Sequence, residues 1–182
     1  MKATSNKYVD HSVRRLVFTY ILILLIAYSV VNIKIINKMN PSELLTKVLV
    51  VQATRLLNIL NQNSTFTDSI ITIQPRVNKS NSNPSFSMSV KFGCNGIEAM
   101  LIYASAVAAF PASWERKLLG ISAGIVLIHI GNILRLTILG FVGVYYPKLF
   151  EYFHIYVLQG MMIAFALVIF FTYLHFNATK TS

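Results

Sequence analysis

Residues 118–146, LLGISAGIVLIHIGNILRLTILGFVGVYY, form the longest apolar run of this chain. A helix needs about 20 apolar residues to cross a bilayer, so this run predicts a transmembrane helix. Two other runs, at residues 16–36 and 155–176, are also long enough to cross a bilayer. A fourth run, at residues 97–110, is short, and we expect its span to borrow residues from both flanks. The chain is therefore predicted to be an all-α membrane protein with about four transmembrane helices.

The composition supports a membrane protein and argues against several other classes. Of the 182 residues, 55% are hydrophobic, which is high for a soluble domain. The formal net charge of +10 first suggests nucleic acid, but the basic residues are scattered among apolar runs and form no stripe. Anionic headgroups of membrane lipids are the simpler partner, and no nucleic acid is expected. No cofactor is expected either, because the sequence has no phosphate loop and no dinucleotide fingerprint.

Neither a metal site nor a disulfide is predicted. Cys94 is the only cysteine, so no intramolecular disulfide can form. The four histidines fall at different depths of the predicted bundle, which does not fit the spacing of metal ligands; they are His11, His129, His154 and His175.

Basic residues set the expected orientation in the membrane. Lys2, Lys7, Arg14 and Arg15 precede the first apolar run. A basic start before an apolar run is also typical of a signal peptide, but this run is long and no small-residue cleavage site follows it. We therefore favour an uncleaved anchor. By the positive-inside rule the N-terminus is cytoplasmic, and with four spans the basic turn at residues 111–117 is cytoplasmic too.

Residues 37–93 are then extracytoplasmic, and their pattern differs from that of the spans. Ser42 is a suitable N-cap for an amphipathic helix over residues 42–60, lying on the membrane or against the bundle; a fifth span is the alternative. The predicted apolar face of this helix comprises Leu45, Val48, Leu49, Leu56 and Leu60. The stretches 66–74 and 85–92 alternate polar and apolar residues around a turn-rich segment, which predicts a β-hairpin.

Three reactive side chains that are distant in sequence are predicted to meet at the outer membrane face. Cys94 begins the second span, Arg135 lies near the outer end of the third, and His154 precedes the fourth. A thiolate is the reactive form of cysteine, and a helix N-terminus, a nearby cation or an imidazole favours it. We therefore predict Cys94 as a nucleophile and His154 as its base and acid. Arg135 lies in an apolar span and needs a partner, which could be the thiolate, a substrate carbonyl or terminal carboxylate, or Glu98.

Four neighbouring residues are predicted to bind substrate or to support this set. Asn95 and Gly96 start the helix that follows the cysteine, and backbone amides there are candidates to hold an oxyanion. Glu98 shares a helical face with the cysteine, so it could pair with the arginine or orient the histidine. Asn132 lies one turn before the arginine and could share its face.

Each of these residues also has an ordinary structural interpretation. A lone cysteine in a membrane helix is most often a small packing residue, and an arginine near a span end often reaches the headgroups. A histidine beside aromatic residues is often interfacial, and Glu98 can be only a helix-start charge. His129 is expected to be structural, with a hydrogen bond inside the bundle. The shared depth of the three reactive side chains is what favours catalysis.

Three short motifs in the second half of the chain are similar to those of one enzyme family. CNGIEA (94–99) resembles the Cys-x-Gly motif of the exosortase/archaeosortase family. GNILRLTIL (131–139) resembles that family's Asn-x-x-Arg motif, and FEYFHIYVLQG (150–160) resembles its late histidine segment. The order and the spacing fit, over residues from about 90 to 176. The chain looks like a compact, exosortase H-like member of this family.

The resemblance implies a membrane-embedded cysteine protease/transpeptidase of a bacterial cytoplasmic membrane, with its site at the extracytoplasmic face. Its substrates would be exported proteins that end in a sorting tail, which consists of a short motif, a transmembrane helix and a basic cluster. Cleavage would proceed through a thioacyl intermediate, followed by transfer to a lipid or envelope acceptor. The commoner family motif has Ser and Arg where Asn95 and Glu98 stand here, so the sorting motif and the role of Glu98 stay open.

The predicted division of the chain follows from these assignments. Residues 1–36 form a cytoplasmic N-terminus and the first transmembrane helix, residues 37–93 the extracytoplasmic helix and hairpin, and residues 94–182 a three-helix transmembrane catalytic core. Two other functions remain open. One is a small multi-pass transporter, with Glu98, His129 and Arg135 along an ion or proton path, and the other is a non-catalytic subunit for envelope assembly.

Overall fold

The computed structural model describes residues 2–32, 41–74, 85–90 and 94–178. Within these ranges the chain forms six α-helices and three β-strands. A 3₁₀ turn, Pro147–Leu149, and a π-helical segment, Phe153–Val157, lie close to the fifth helix. In chain order the helices and strands are α1 Lys2–Asn32, α2 Pro41–Ile59, β1 Asn63–Thr67, β2 Ile70–Gln74, β3 Phe86–Ser89, α3 Ile97–Ala109, α4 Trp114–Tyr145, α5 Phe150–Tyr152 and α6 Leu158–Ala178.

The described chain is mostly helical, and three of its helical segments are long and apolar enough to cross a membrane. They are Val13–Val31, Trp114–Tyr145 and Pro147–Asn177. The predicted all-α membrane class is confirmed, but the predicted count of four spans is wrong. The remaining apolar helix, α3, has 13 residues, which cover about 20 Å at 1.5 Å per residue, less than the roughly 30 Å of hydrocarbon.

Helix α3 does not borrow residues from its flanks because the backbone ends it on both sides. Gly96, the residue before α3, has φ +77°, in the left-handed region, which a right-handed helix cannot include. At the other end Phe110 is extended, as expected for a residue before Pro111. The part predicted as a three-helix transmembrane core therefore contains two long apolar helices and one short one.

The end of α3 lies beside the start of the α1 span. A groove there is lined by Val13, Arg15, Leu16, Thr19, Ala109 and Pro111. The basic residues that precede the first span and the basic turn after α3 thus lie at the same end of the bundle. This is the arrangement that the charge pattern predicts.

Two apolar cores divide the molecule along the length of α4. The first half of α4 packs with α3 and α6 around Met100, Val107, Ile128 and Met162. The second half packs beneath α2 and the strands, and the shared core there comprises Leu49, Val50, Ala53, Leu57, Ile71, Ile73, Met88, Val90, Leu136, Leu139 and Leu158. Since 32 residues of helix measure about 48 Å, α4 is long enough to cross the hydrocarbon and still support an extramembrane layer.

Helix α2 is amphipathic and packs against the bundle, as predicted, although its buried face is rotated from the predicted one. The fully buried apolar side chains are Leu49, Val50, Ala53 and Leu57, at the three- and four-residue spacing of one helical face. Of the predicted face only Leu49 is fully buried, whereas Val48 and Leu60 are exposed. Apolar residues on several sides of α2 made the face ambiguous. The alternative of a fifth span is not supported, because α2 is not apolar enough.

The strands form a three-stranded antiparallel sheet in the order β1-β2-β3. The predicted hairpin corresponds to β2 and β3, with Ile71 opposite Met88. Strand β1 was not predicted, because the stretch 66–74 reads as one strand but turns at Asp68, whose φ is +52°. The turn-rich segment 75–84 between β2 and β3 lies outside the described residues.

Candidate active site

The central contact of the site joins the only cysteine to a histidine 60 residues later. Cys94 Sγ lies 3.4 Å from His154 Nε2, within hydrogen-bonding distance for sulfur. Cys94 stands just before α3, and His154 lies in the π-helical segment between α5 and α6. Both residues are half-buried, so the thiol is neither sealed in the core nor fully exposed. A thiol and an imidazole in this arrangement can exchange a proton, which is the requirement for a cysteine nucleophile.

Aromatic packing holds the His154 ring in place. Its ring stacks on that of Phe150, one turn earlier, with centroids 5.9 Å apart and planes 5° apart. Phe150 in turn meets Phe86 of β3 edge-on at 5.0 Å. Phe86 lies so close to α4 that a Cβ on Gly143 would be 2.1 Å from its ring. The sheet therefore supports the imidazole through two aromatic rings.

The Cys-x-Gly and Asn-x-x-Arg motifs interlock at the start of α3. The Asn132 side-chain amide donates a hydrogen bond to the Cys94 carbonyl oxygen at 3.2 Å. Gly96 packs directly on this amide, since a Cβ at residue 96 would be 2.7 Å from Asn132 Nδ2. Asn132 is fully buried, and its Oδ1 has no hydrogen-bond partner among the described residues. The two motifs thus fix the backbone that carries the thiol.

Arg135 lies one turn further along α4, and its charge acts on both reactive groups. It is 6% exposed, and it interacts electrostatically with Cys94 and with His154. Its Nε is buried without a hydrogen-bond partner in the described part of the chain. A guanidinium in an apolar helix is costly unless it has a partner, so Arg135 is a candidate for a functional group.

The side chain of Asn95, which was predicted to bind substrate or to support the site, points into the protein. It is fully buried beneath the first turns of α2, where its Nδ2 lies 2.8 Å from Ser42 Oγ and 3.2 Å from Thr46 Oγ1. Its Oδ1 accepts the Ile97 backbone N–H at 3.2 Å. That amide is therefore not free to hold an oxyanion.

Glu98 and His129 do not join the three reactive side chains. Glu98 is half-buried and makes no ion pair with Arg135, both of which are described. His129 Nε2 lies 2.6 Å from Gln52 Oε1 of α2, which confirms its predicted structural hydrogen bond. The supporting residues that the sequence did not reveal are Ser42, Thr46, Phe86 and Phe150. The sequence did offer one signal for the role of Asn95. An asparagine two residues before the start of a helix can accept the first backbone N–H of that helix in an Asx-type turn.

The depth of the site follows from the length of α4. From Trp114, in the basic turn, to Arg135 the helix rises about 32 Å at 1.5 Å per residue. The hydrocarbon of a bilayer is about 30 Å thick. If the basic turn lies at one interface, the reactive side chains lie at the other. The sheet packs on the last turns of α4, beyond Arg135, whereas α2 runs alongside α4 and reaches back to His129.

A comparison with protein families gives an independent assignment. The family model described as transmembrane exosortase matches residues 9–173, which is nearly the whole chain. A search of curated proteins and a search of solved structures each returned no match. The match extends well beyond the three motifs and includes the first span, α2 and the sheet. The chain belongs to the transmembrane exosortase family, a family of membrane-bound, cysteine-type transpeptidases that act in protein sorting.

Proposed function

We propose that this chain cleaves the C-terminal sorting tail of exported proteins through a thioacyl intermediate on Cys94 and transfers them to an envelope acceptor. The observation that carries the proposal is the 3.4 Å contact between Cys94 Sγ and His154 Nε2, with the buried Arg135 acting on both. The protein would be a multi-pass enzyme of a bacterial cytoplasmic membrane, with the site facing outward.

The first half of the reaction forms the thioester. His154 takes the thiol proton, and the sulfur attacks the carbonyl carbon of the scissile peptide bond. The guanidinium of Arg135 stabilises the negative charge that develops on the carbonyl oxygen. The C–N bond then breaks, His154 gives its proton to the leaving amine, and the acyl part of the substrate stays on the sulfur.

The second half passes the acyl group to an acceptor. A nucleophile from a lipid or another envelope component gives its proton to His154 and attacks the thioester carbonyl. The C–S bond breaks, and the thiolate takes back the proton from the imidazole. Water would give hydrolysis at this step, so the apolar surroundings of the site favour transfer by limiting water.

The layer formed by α2 and the sheet is the proposed substrate-reading surface. Its sheet packs near the end of α4 that is away from the basic turn, where the exported part of a substrate would approach. The hydrophobic tail of the substrate would enter the bundle sideways from lipid, and its basic end would lie at the opposite interface. The sorting motif itself would contact the residues around Cys94.

The contacts of Glu98 and His129 favour this enzyme over a transporter. An ion path through Arg135 would need charged or titratable residues in contact along the bundle. Glu98 is not paired with Arg135, and His129 is bonded to Gln52 instead.

The test of the proposal is a pair of substitutions at the thiol. Cys94→Ala, co-expressed with an exported protein that ends in a motif, an apolar helix and a basic cluster, is expected to insert normally while uncleaved substrate accumulates. Cys94→Ser is expected to be strongly impaired as well, because an alcohol is a weaker nucleophile here. Normal processing by either variant would rule out the enzyme, and a transporter or assembly subunit would retain function in both.

A further inference from the structure

Asn95 lies in the segment that carries the thiol, residues 94–96, which we call the nucleophile loop. Its side chain links this loop to α2 by hydrogen bonds. Its side chain is fully buried, and its Nδ2 has three acceptors on the first turns of α2. These are Ser42 Oγ at 2.8 Å, Thr46 Oγ1 at 3.2 Å and the Ser42 carbonyl oxygen at 3.3 Å. We call this set the Asn95 clasp.

The clasp also reaches into the helix that carries the nucleophile. Asn95 Oδ1 accepts the Ile97 N–H, so one side chain holds both the start of α3 and the start of α2. Thr46 Oγ1 donates to the Ser42 carbonyl oxygen at 2.7 Å, which closes the network. Because Asn95 is the residue directly after Cys94, a shift of its side chain must move the backbone that carries the thiol.

The imidazole of His154, which contacts the thiol, is also supported by the layer that α2 and the sheet form. Strand β3 supports His154 through Phe86 and Phe150. Both α2 and the sheet contribute side chains to one apolar core, which Cys94 and Phe150 also contact. The two reacting groups are therefore fixed to a common body by separate connections. Small relative movements of these connections change the contact between Sγ and Nε2 directly.

From this geometry we propose that Asn95 is a positioning residue, which sets the Cys94–His154 contact by anchoring the nucleophile loop to Ser42 and Thr46 of α2. The inference rests on the proposed function, because it assumes that His154 activates the thiol. It predicts that residues 42, 46 and 95 act as one unit, and that breaking this unit uncouples His154 from Cys94 while the fold persists.

The experiment measures how strongly His154 assists the thiol, with and without the clasp. The full-length protein in lipid nanodiscs is treated with iodoacetamide, and the alkylation rate of its only cysteine is measured. In an otherwise unchanged protein, His154→Ala is expected to lower this rate by about tenfold, since general-base assistance of that size or more is usual. In an Asn95→Ala background the same substitution is expected to change the rate less than about twofold, because the contact is already lost.

A second route tests the clasp from the α2 side, in case Asn95→Ala does not fold. The Ser42→Ala, Thr46→Val double variant removes both hydroxyl acceptors and keeps the apolar volume near that of the natural side chains. It is expected to reduce the effect of His154→Ala in the same way. Adding Asn95→Ala to it should cause little further change, since residues of one network are not additive.

Thr54→Val is the matched control on the same helix. Thr54 is 3% exposed and is therefore buried, as Thr46 is. Its Oγ1, however, has no hydrogen-bond partner among the described residues. This variant should leave the full effect of His154→Ala intact. Asn58→Ala is a control for the layer, since Asn58 bonds to Ser64 of β1 and does not contact the nucleophile loop.

The outcomes separate the inference from the proposed function. If His154→Ala slows alkylation equally with and without the clasp, Asn95 has no positioning role, although the Cys–His pair stands. An equal loss in the Thr54→Val or Asn58→Ala background would likewise overturn it, because general loosening of the layer would then explain the result. If His154→Ala has no effect in the natural background, the Cys–His pair and the inference both fail.

Discussion

The Cα of Gly96 rests on the side-chain amide of Asn132, so closely that a methyl group at residue 96 would lie 2.7 Å from Nδ2. The same amide donates to the Cys94 carbonyl oxygen. Residue 96 must be glycine for two reasons. A Cβ would clash with Asn132, and the φ of +77° is unfavourable for a residue with a Cβ. The two motifs are separated by more than 30 residues and form a single structural unit.

Gly96→Ala is therefore expected to impair both stability and processing. The left-handed conformation alone costs about 1–2 kcal/mol for a residue with a Cβ, and the contact with Asn132 adds to it. The thermal unfolding temperature of the purified protein and the cleavage of a co-expressed substrate measure the two effects. Gly160→Ala is the control, because nothing lies within 4 Å of a Cβ there and the position is helical. Equal behaviour of the two variants would contradict the interlocked arrangement.

Arg135→Lys is expected to insert and fold but to lose most of its processing activity. An ammonium group keeps the charge but cannot reproduce the planar guanidinium fork. Loss of one oxyanion donor usually lowers the rate by about 10²–10³-fold, which we take as the expected range. Arg15→Lys, at an exposed position on α1 outside the proposed substrate-reading surface, should process substrate normally. Full activity of Arg135→Lys would show that the residue supplies charge alone, and full activity of Arg135→Ala would remove it from the mechanism.

The proximity of Cys94 and His154 could be predicted from the sequence, because the lengths of the intervening helices set their level in the bundle. Cys94 and Arg135 are on helices joined by a short basic turn, so equal distances from that turn bring them to one level. Helix α3 is shorter than the predicted span, but it still runs from Cys94 to the basic turn. The predicted proximity of the side chains was therefore not affected. The pairing of His154 with Cys94 at 3.4 Å agrees with the predicted convergence.

What could not be predicted depends on contacts between segments that are far apart in sequence. The sequence left open whether Asn95 binds substrate or supports the site, because its partners on α2 are about 50 residues away. The support of His154 by Phe86 is similar, because no local pattern tells which aromatic residue of a strand faces a helix. Strand β1 was missed for a local reason, since its sequence NSTFT has one apolar residue and an Asp-Ser turn is a weak signal.

Phe150→Leu tests the aromatic support of His154. Leucine fills much of the same space but cannot stack on the imidazole, so the ring should occupy more than one orientation. An aromatic pair contributes about 0.5–1.5 kcal/mol, which corresponds to a processing rate lower by about twofold to 13-fold.

Phe141→Leu is the matched control for that substitution. Phe141 stacks on Tyr145 at 6.1 Å and packs on the same core as Phe150, but it does not contact His154. The two variants should lose similar thermal stability, while only Phe150→Leu loses processing rate beyond that. Equal rates in the two variants would mean that the stacking on His154 has no effect on the reaction.

Trapping of the thioacyl intermediate tests the central claim most directly. The full-length enzyme is co-expressed with a substrate, and the membranes are quenched in acid. The enzyme is then digested, and its peptides are analysed by mass spectrometry. Because the chain has one cysteine, an adduct on sulfur can only be on residue 94. The account predicts that the peptide containing Cys94 carries, as a thioester, the substrate residues that directly precede the cleaved bond, and that neutral hydroxylamine removes them. Cleaved substrate without such an adduct, together with continued cleavage by Cys94→Ala, would contradict the account.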